Sequence, residues 1–239
     1  MQLDLEFRRS GDWLFRRRSY LPLLLLALVH LDLVRFTYIG GSHAWDRAWE
    51  MFCLAISFVG IGVRVLVIGY RPHGTSGRNT KRQEAASLNT EGMYSITRHP
   101  LYLGNYLTWL GLALFTHTWW LPVIVTLVFW LYYERIMFAE EAFLQEKFGE
   151  QYTRWAAQTP AFLPHLRSWQ PPSRPFSWPT VVRREYSGPF AVVAAFTYLE
   201  TIGDLAVRKR LVLDPLWAAL FGVNLAVYLV LRTLKHMKK

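Results

Sequence analysis

Long apolar runs are the feature of this sequence that most restricts its fold. Six stretches have the composition of membrane-buried helices, at residues 20–40, 49–69, 101–116, 119–133, 188–203 and 211–231. A hydrocarbon core about 30 Å thick needs roughly 20 helical residues, so the third, fourth and fifth stretches are short for a full crossing. The sequence predicts an all-α, polytopic membrane protein with about six transmembrane helices.

Two of these stretches are separated only by His117 and Thr118. A link this short joins antiparallel neighbours, and Pro122 suits the first turn of the second helix because a backbone N–H is not needed there. We therefore expect residues 101–133 to form a helical hairpin.

Basic residues predict how the chain is oriented. The formal net charge is +10, which in a soluble protein would suggest nucleic-acid binding but in a membrane protein is typical of loops facing an anionic cytoplasmic leaflet. With six crossings, the basic segments before residue 20, at 71–98, at 134–187 and at the C-terminal end fall on one side. We expect both termini to be cytoplasmic, together with the pocket described below at the end of the hairpin. We expect no nucleic-acid partner. The "RKR" at 208–210 does not fit this arrangement.

Local composition predicts the domain organisation. Segment 71–92 is rich in Gly, Ser, Thr and Asn and indicates a loop, whereas the Pro-rich segment 169–180 indicates a non-helical linker. We expect a membrane core at 1–168, a linker and interfacial segment at 169–187, and a two-helix membrane extension at 188–239. The single Cys53 lies in an apolar run, which favours a buried thiol over a disulfide. No metal site is predicted.

A carboxylate centred on an apolar helical stripe indicates a candidate site. When residues 133–148 are projected at about 100° per residue, Glu140 falls in the middle of the stripe, and Glu134 and Glu141 fall together at one edge. A carboxylate in such a position needs a partner. The simpler alternative is a glutamate that pairs with Arg or Lys, or that reaches the membrane surface.

The other end of the hairpin carries Arg98, His99 and Pro100, and antiparallel arms would bring these residues to the glutamates. The predicted pocket also contains three tyrosines, Tyr94, Tyr102 and Tyr106. Such groups suit a ligand with an ammonium, a carboxylate, a planar ring and a sulfonium, as in S-adenosylmethionine. A lipid headgroup such as ethanolamine phosphate would satisfy most of the same groups.

These residues, in their order and spacing, resemble the integral-membrane methyltransferases of the isoprenylcysteine carboxyl methyltransferase and phospholipid methyltransferase superfamily. The pattern is G-x-Y-x-x-x-R-H-P-x-Y-x-G, an apolar hairpin, E-E-x-x-L-x-x-x-F-G-x-x-Y and P-x-x-x-P, and it covers residues 92–164. The matching residues are Gly92, Tyr94, Arg98, His99, Pro100, Tyr102, Gly104, Glu140, Glu141, Leu144, Phe148, Gly149, Tyr152, Pro160 and Pro164. The segment after residue 168 lies outside the resemblance.

The resemblance implies that S-adenosylmethionine binds at the end of the hairpin and that a lipid or lipidated substrate enters from the bilayer. The implied cofactor-binding residues are Tyr94, Arg98, His99, Pro100, Tyr102, Gly104, Glu140 and Glu141. Simpler roles stay open for three of them, because His99 and Pro100 also suit a helix start and Arg98 a membrane-surface anchor.

The implied reaction is attack of a nucleophile on the methyl group of a sulfonium. A carboxylate or phosphate nucleophile needs no general base, and Arg135 would then hold the acceptor anion. An amine must first lose a proton, which Glu134 or Glu141 would accept. The residues do not choose between these acceptors, and they do not predict an oligomeric state.

Two other functions remain as alternatives. Sterol and steroid reductases that use NADPH resemble the same half of the chain, with R-H-x-N-Y-x-G followed by an acid. Here Leu101 replaces the Asn, and Asn105 replaces the acid, which favours the methyltransferase. The third possibility is a membrane scaffold without enzymatic activity.

Overall fold

The computed structural model describes residues 2–18, 23–71 and 85–237, and these form an all-α protein. The loop predicted at residues 71–92 lies largely outside the described residues, since 72–84 are not among them. The helices are α1 (Leu3–Arg17), α2 (Leu23–Asp32), α3 (His43–Tyr70), α4 (Met93–Ile96), α5 (Pro100–Leu114), α6 (Trp120–Phe148), α7 (Glu150–Gln158), α8 (Trp178–Glu185), α9 (Ser187–Arg208) and α10 (Pro215–Met237).

Four of these helices, α3, α6, α9 and α10, are long and apolar enough to cross a membrane. They contain the second, fourth, fifth and sixth apolar stretches of the sequence. The chain is therefore an integral membrane protein. Helix α9 has 22 residues and ends five residues beyond the fifth stretch, so it is long enough to cross, whereas α10 begins four residues after the predicted start of the sixth stretch and ends six residues beyond it.

The other two apolar stretches form shorter helices. Within residues 20–40 the structure has the ten-residue α2, followed by single 3-10 turns at Leu33–Arg35 and Ile39–Gly41. Helix α5 has 15 residues, a rise of about 22 Å, which is less than the thickness of a hydrocarbon core. Six full crossings, and the side of the membrane that each loop faces, stay predictions.

The hairpin prediction is confirmed by α5 and α6, which run back beside each other from a short tip at residues 115–119. His117 in this tip has a left-handed backbone, with φ of 62°, a conformation that is uncommon outside glycine and that here reverses the chain. The hairpin places the start of α5 and the end of α6 together.

Helix α3 lies against α5 with little space between the two backbones. A Cβ atom added to Gly104 would lie 2.7 Å from the carbonyl oxygen of Gly60, and one added to Gly111 would meet Ser57. Ser57 also donates a hydrogen bond to the carbonyl of Thr108 over 2.9 Å. Small residues at the contact, as in many membrane helix pairs, therefore fix the hairpin against α3.

The N-terminal helix was not foreseen as a structural element. Its positions Arg8, Arg9 and Arg16–Arg18 were read only as basic topology signals, yet α1 packs along α6. Gly11 lies directly on the carbonyl of Arg135, and Phe15 is buried. The basic N-terminal segment thus forms one side of the bundle near the end of the hairpin.

The Pro-rich segment after residue 158 crosses the end of the bundle and joins it to α8. The backbone N–H of Ser177 donates to the carbonyl of Gly69, and Gly92 donates to the carbonyl of Gln170, both over 2.9 Å. We call residues 159–177 the strap. The non-helical character predicted for residues 169–180 is confirmed for 169–177 and is wrong for 178–180, because α8 begins at Trp178 and Pro179 lies in its first turn, where proline is tolerated. The division into three domains stays a prediction.

Candidate active site

The chain just before α5 is fixed in place by the strap. Backbone N–H groups of Arg98 and His99 donate to the carbonyls of Pro160 and Ala161 over 2.9 and 3.2 Å. The side chain of Thr97 is fully buried, and its hydroxyl donates to the carbonyl of Ala161 over 3.1 Å. These bonds hold Arg98 and His99 in a single backbone conformation at the mouth of the hairpin.

His99 joins the two glutamates near the end of α6. Its Nε2 lies 2.8 Å from Oε1 of Glu141, and its Nδ1 lies 3.6 Å from Oε2 of Glu140. A neutral imidazole carries only one N–H, whereas an imidazolium carries two. Because both ring nitrogens face a carboxylate, this geometry suits the charged form.

Electrostatics at His99 agree with that geometry. Burial alone would lower the pKa of His99, since it disfavours the charged ring. Hydrogen bonds and charge from Glu140 and Glu141 outweigh the burial, and the pKa of His99 is raised above its usual range. Geometry and electrostatics thus both favour a positively charged His99 between the two carboxylates.

Glu140 has two further partners. The hydroxyl of Tyr102 donates to its Oε1 over 2.8 Å, and Nη1 of Arg18 lies 3.7 Å from the same oxygen. The ring of Tyr102 also stacks on His99, with the ring centroids 5.7 Å apart. Side chains from α1, α5 and α6 thus converge on one carboxylate.

Glu141 is paired with Arg98, whose Nη1 lies 3.3 Å from Oε2. Tyr152 of α7 lies beside this pair, where burial and the negative charge of Glu141 raise the pKa of its hydroxyl. The carboxylates of Glu140 and Glu141 keep 23% and 26% of their side-chain surface exposed. They are partnered but still open to a ligand. We refer to Arg18, Arg98, His99, Tyr102, Glu140 and Glu141 as the His99 cluster.

Aromatic rings line the hairpin directly below the His99 cluster. Tyr102 and Tyr133 have ring centroids 4.6 Å apart, and Phe129 stacks on Tyr133 at 4.1 Å. Tyr106 contacts Phe129 and also Phe162 of the strap. The result is a polar site of mixed charge above a water-excluding aromatic wall.

Comparison with known proteins finds similarity over the part of the chain that contains most of the His99 cluster. Residues 50–151 match the phospholipid methyltransferase family, and this range includes α3 from Glu50 onward, the hairpin and both glutamates. Over this segment, the chain is similar to the isoprenylcysteine carboxyl methyltransferase and phospholipid methyltransferase superfamily.

Three curated relatives define the similarity further. A cobalt-zinc-cadmium resistance protein of Cupriavidus metallidurans is 32% identical over 127 residues, 53% of this chain and 56% of that protein. A nickel-cobalt-cadmium resistance protein of Alcaligenes xylosoxydans xylosoxydans is 33% identical over 141 residues, 58% of this chain and 62% of that protein. A protein-S-isoprenylcysteine O-methyltransferase of Schizosaccharomyces pombe is 29% identical over 85 residues, 36% of each.

The matched region therefore spans 56% to 62% of the length of the two metal-resistance relatives. No solved structure matches the chain.

The structure brings some of the predicted site residues together and separates others. Arg98, His99, Tyr102, Glu140 and Glu141 meet in the His99 cluster. Pro100 is buried as the first residue of α5, which is a structural position. The roles predicted for all of these residues stay predictions.

Two predicted catalytic residues lie apart from the His99 cluster. The guanidinium of Arg135 faces α1, 5.0 Å from the centre of the Phe7 ring and 3.5 Å from the hydroxyl of Ser10. Glu134 is partly buried, and within the described residues no hydrogen bond or ion pair joins it to His99. On α6, Arg135 is rotated by about 140° from Glu140, whereas Glu134 lies on the same edge as Glu141 but about 10 Å away along the helix axis.

Two predicted cofactor residues have structural contacts. Gly104 faces α3, where an added Cβ would lie 2.7 Å from Cγ of Arg64. Close approach at this glycine therefore comes from helix packing. Tyr94 accepts a hydrogen bond at its backbone carbonyl from the indole of Trp155 over 3.2 Å, which ties α4 to α7 next to the His99 cluster.

Two polar features of the site were missed in the sequence. Arg18 comes from a basic run that signalled only topology. Arg64 lies late in the second apolar stretch, where a charge is typical of a side chain that reaches the membrane surface. It instead forms two hydrogen bonds with Glu185 of α8, over 3.0 and 2.8 Å, and a third with Asn105. Asn105 in turn donates to the hydroxyl of Tyr133 over 3.2 Å. Helix α8 is thereby connected to the aromatic wall, a contact that no local pattern signals.

A second polar cluster lies at the opposite end of the bundle, near the hairpin tip. It contains five buried acidic residues, Asp46, Glu50, Glu200, Asp204 and Asp214. We call this the acidic cluster. It joins α3 to α9 and to the start of α10, and the acids on α3 are about 150 or more positions from the others, too far to be recognised as neighbours in the sequence.

Proposed function

We propose that this protein transfers a methyl group from S-adenosylmethionine to a lipid or lipidated acceptor at the membrane interface. The observation that carries the proposal is the His99 cluster. At the end of a membrane hairpin it brings together two carboxylates that are 23% and 26% exposed, two guanidiniums and a tyrosine. Except for Arg18, this arrangement lies inside the segment that matches the phospholipid methyltransferase family.

The residues of the His99 cluster fit the cofactor. Glu140 and Glu141 offer exposed oxygen to an ammonium group. Nε of Arg98 is buried without a hydrogen-bond partner in the described structure, so this guanidinium has a donor to spare for a carboxylate. At the start of α5, Pro100 has no backbone N–H, and the N–H groups of Tyr102 and Leu103 both donate to the carbonyl of His99. Arg98 is thus the better partner for the carboxylate.

When bound, S-adenosylmethionine supplies a methyl group activated by a sulfonium. The protein contributes position and exclusion of water. His99 holds Glu140 and Glu141 at a fixed separation, and the strap fixes Arg98. The aromatic wall of Tyr102, Tyr106 and Phe129 excludes water on the side of the site that faces the membrane. The lipid tail of the acceptor would lie along the apolar face of the hairpin.

Cofactor binding by the purified protein tests this proposal first. We expect labelled S-adenosylmethionine to bind the detergent-solubilised protein, and Glu140→Gln and Glu141→Gln each to weaken binding by at least about tenfold, the effect of losing one charge-assisted bond. Glu150→Gln, an exposed carboxylate on α7, is the matched control and should bind normally.

Incubation of the same protein with labelled cofactor and membrane extract should give a labelled lipid. Tight binding of NADPH without binding of S-adenosylmethionine would instead support the reductase. If neither ligand binds, and variants of Glu140 and His99 keep the cellular phenotype, the protein is a scaffold.

A role in resistance to divalent transition metals is a second candidate function. Two relatives are named for resistance to such metals, and the acidic cluster is the specific observation in this chain that favours it. Growth of cells with and without the gene, in graded zinc and cobalt, tests this role. Equal growth at every concentration would exclude it.

A further inference from the structure

Three carboxylates of the acidic cluster are buried together between α3 and α9. Asp46 and Glu50 lie one turn apart on α3, and Glu200 faces them from α9. Their residues are 0%, 1% and 1% exposed. We refer to these three residues as the carboxylate triad.

Each member of the carboxylate triad has at least one oxygen without a hydrogen-bond donor in the described structure. These oxygens are Oδ2 of Asp46, Oε1 of Glu50 and Oε2 of Glu200. Buried polar groups are almost always satisfied, and an unpaired buried carboxylate is among the most costly groups to leave in an apolar interior. Three such oxygens at one point indicate a missing cationic partner.

The arginines of the acidic cluster are already engaged with its other members. Nη2 of Arg47 lies 2.7 Å from Asp214, and Nε of Arg208 lies 3.3 Å from Asp204. Across the described ranges, no Lys or Arg forms an ion pair with the carboxylate triad. Two acids are thus balanced by two guanidiniums, while the triad has only imidazoles nearby.

Those imidazoles are His43 and His117. Nε2 of His43 lies 3.5 Å from Oε1 of Glu200, and Nε2 of His117 lies 3.0 Å from Oδ1 of Asp46. Neither nitrogen has a well-directed hydrogen bond. Imidazole nitrogen and carboxylate oxygen together are the ligand set of divalent transition metals such as Zn²⁺ and Mn²⁺.

We propose that Asp46, Glu50 and Glu200 bind one divalent transition-metal ion, with His43 as a further ligand. One oxygen from each acid lies within 4.8 Å of the others, and the same limit holds for His43, Glu200 and Asp214. Ligands about 2.1 Å from an ion are at most about 4.2 Å apart. Small side-chain rotations therefore suffice to form the site.

A surrounding layer of hydrogen bonds orients these ligands, as is usual around metal sites. The indole Nε1 of Trp217, which is 1% exposed, donates to Oε2 of Glu50 over 2.9 Å. This bond leaves the other oxygen of Glu50 directed at Glu200. The aromatic core at Phe196 stacks on Trp217, with ring centroids 5.9 Å apart, and so keeps this support rigid.

The metal site goes beyond the proposed methyl transfer and does not depend on it. The carboxylate triad lies near the hairpin tip, whereas the His99 cluster lies at the opposite end of α5, about 22 Å away along the helix axis. The two sites share no side chain. Their tests can therefore fail independently.

Metal content of the purified full-length protein provides the test. Protein in detergent is stripped with a chelator, dialysed against Zn²⁺ or Mn²⁺, freed of excess ion and analysed by mass spectrometry for metal. We expect one Zn²⁺ per chain, bound more tightly than Mn²⁺ as the general affinity order requires. Glu50→Gln and Glu200→Gln should each reduce the bound metal at least tenfold, while Glu140→Gln, in the other cluster, should keep it.

Thermal unfolding distinguishes lost ligands from a lost fold. A bound ion stabilises the folded state by mass action, so Zn²⁺ should raise the wild-type melting temperature by several degrees. Without metal, Glu200→Gln should melt no lower than the wild type, because the amide removes a buried carboxylate, and it should not respond to Zn²⁺. The proposal is overturned if stripped wild-type protein takes up neither ion, or if the triad variants bind as much metal as the wild type. In both cases the three acids would be held by shared protons.

Discussion

His99 shows how one residue can combine two carboxylates into a single binding surface. Glu140 and Glu141 are adjacent on α6, and two neighbouring carboxylates repel each other unless a cation lies between them. The imidazolium supplies that cation and uses both of its N–H groups to fix the two side chains. Loss of its proton would leave the glutamates in the same place but without the charge that holds them.

The raised pKa of His99 predicts a dependence of stability on pH. A group whose pKa is higher in the folded state contributes stability fully below its unfolded pKa of about 6.5, and loses it as pH rises through the folded pKa. We expect the wild-type melting temperature to fall from about pH 6.5 upward, and that of His99→Gln to change less over the same range. Parallel melting curves for the two proteins would contradict this assignment.

The ion pair of Arg64 and Glu185 predicts a large loss of stability when one carboxylate oxygen of Glu185 is replaced by an amide nitrogen. Glu185→Gln leaves a guanidinium inside the bundle without its carboxylate, which costs about 3 kcal/mol in free energy of unfolding. The double variant Arg64→Gln with Glu185→Gln should lose less than the sum of the single variants, because the two groups act as a pair. Unfolding in mixed micelles measures all three, with Glu150→Gln as the control.

The sequence predicted every residue of the His99 cluster except Arg18, but not the individual contacts between them. Glu140 was identified because a charge interrupts an apolar period, and Arg98 and His99 because they lie at the other end of one hairpin. Arg18 was missed since it is separated from Glu140 by most of the chain. The position of Arg135 was also not predictable, because a helical projection cannot say which neighbour covers each face.

At the level of elements, the contact between α3 and α5 sets the position of the whole hairpin. Gly60 and Gly104 face each other across it, and a β-carbon at either would push the helices apart. This explains a glycine in the middle of a membrane helix without any ligand.

Two alanine substitutions should have opposite effects on stability. Gly104→Ala adds a methyl group 2.7 Å from a backbone oxygen and should destabilise the protein by about 1–3 kcal/mol. Gly62→Ala, on an open face of α3 with nothing within 4 Å, should stabilise it by up to about 1 kcal/mol, because alanine favours helix. Thermal or denaturant unfolding of both variants tests the pair, and an equal loss would argue against close packing at Gly104.

Sequence periodicity identified the long helices and the hairpin because each leaves an apolar run with a turn beside it. It did not identify α1, whose apolar positions are separated by arginines, or the contact of α1 with α6. Helix α8 was hidden in a Pro-rich segment, since Pro179 lies where proline is compatible with a helix.

At the level of the whole molecule, the C-terminal helices share their core with the rest of the bundle. Phe196 and Leu199 of α9 are fully buried in the same apolar cluster as Phe115 at the hairpin tip and Cys53 of α3. Composition changes at residue 169 suggested a separate extension, but composition does not report which surfaces are covered.

A truncated chain tests how far the C-terminal part can be separated. A chain ending after residue 168 loses Glu185 and α9 together, and we expect it to aggregate in detergent and to bind no S-adenosylmethionine. A chain shortened only by residues 236–239 serves as the control and should behave like the wild type. A monodisperse truncated protein that binds cofactor would establish residues 1–168 as an independent unit.

The strap has a consequence for the timing of synthesis. Residues 92–99 are held by partners that lie 61 to 78 positions later in the chain, and ribosomes add about 5–20 residues per second. The hairpin can thus be inserted for several seconds before its mouth acquires a fixed shape. A nascent chain stopped before residue 160 would have both membrane arms and every residue of the His99 cluster, yet no ordered site.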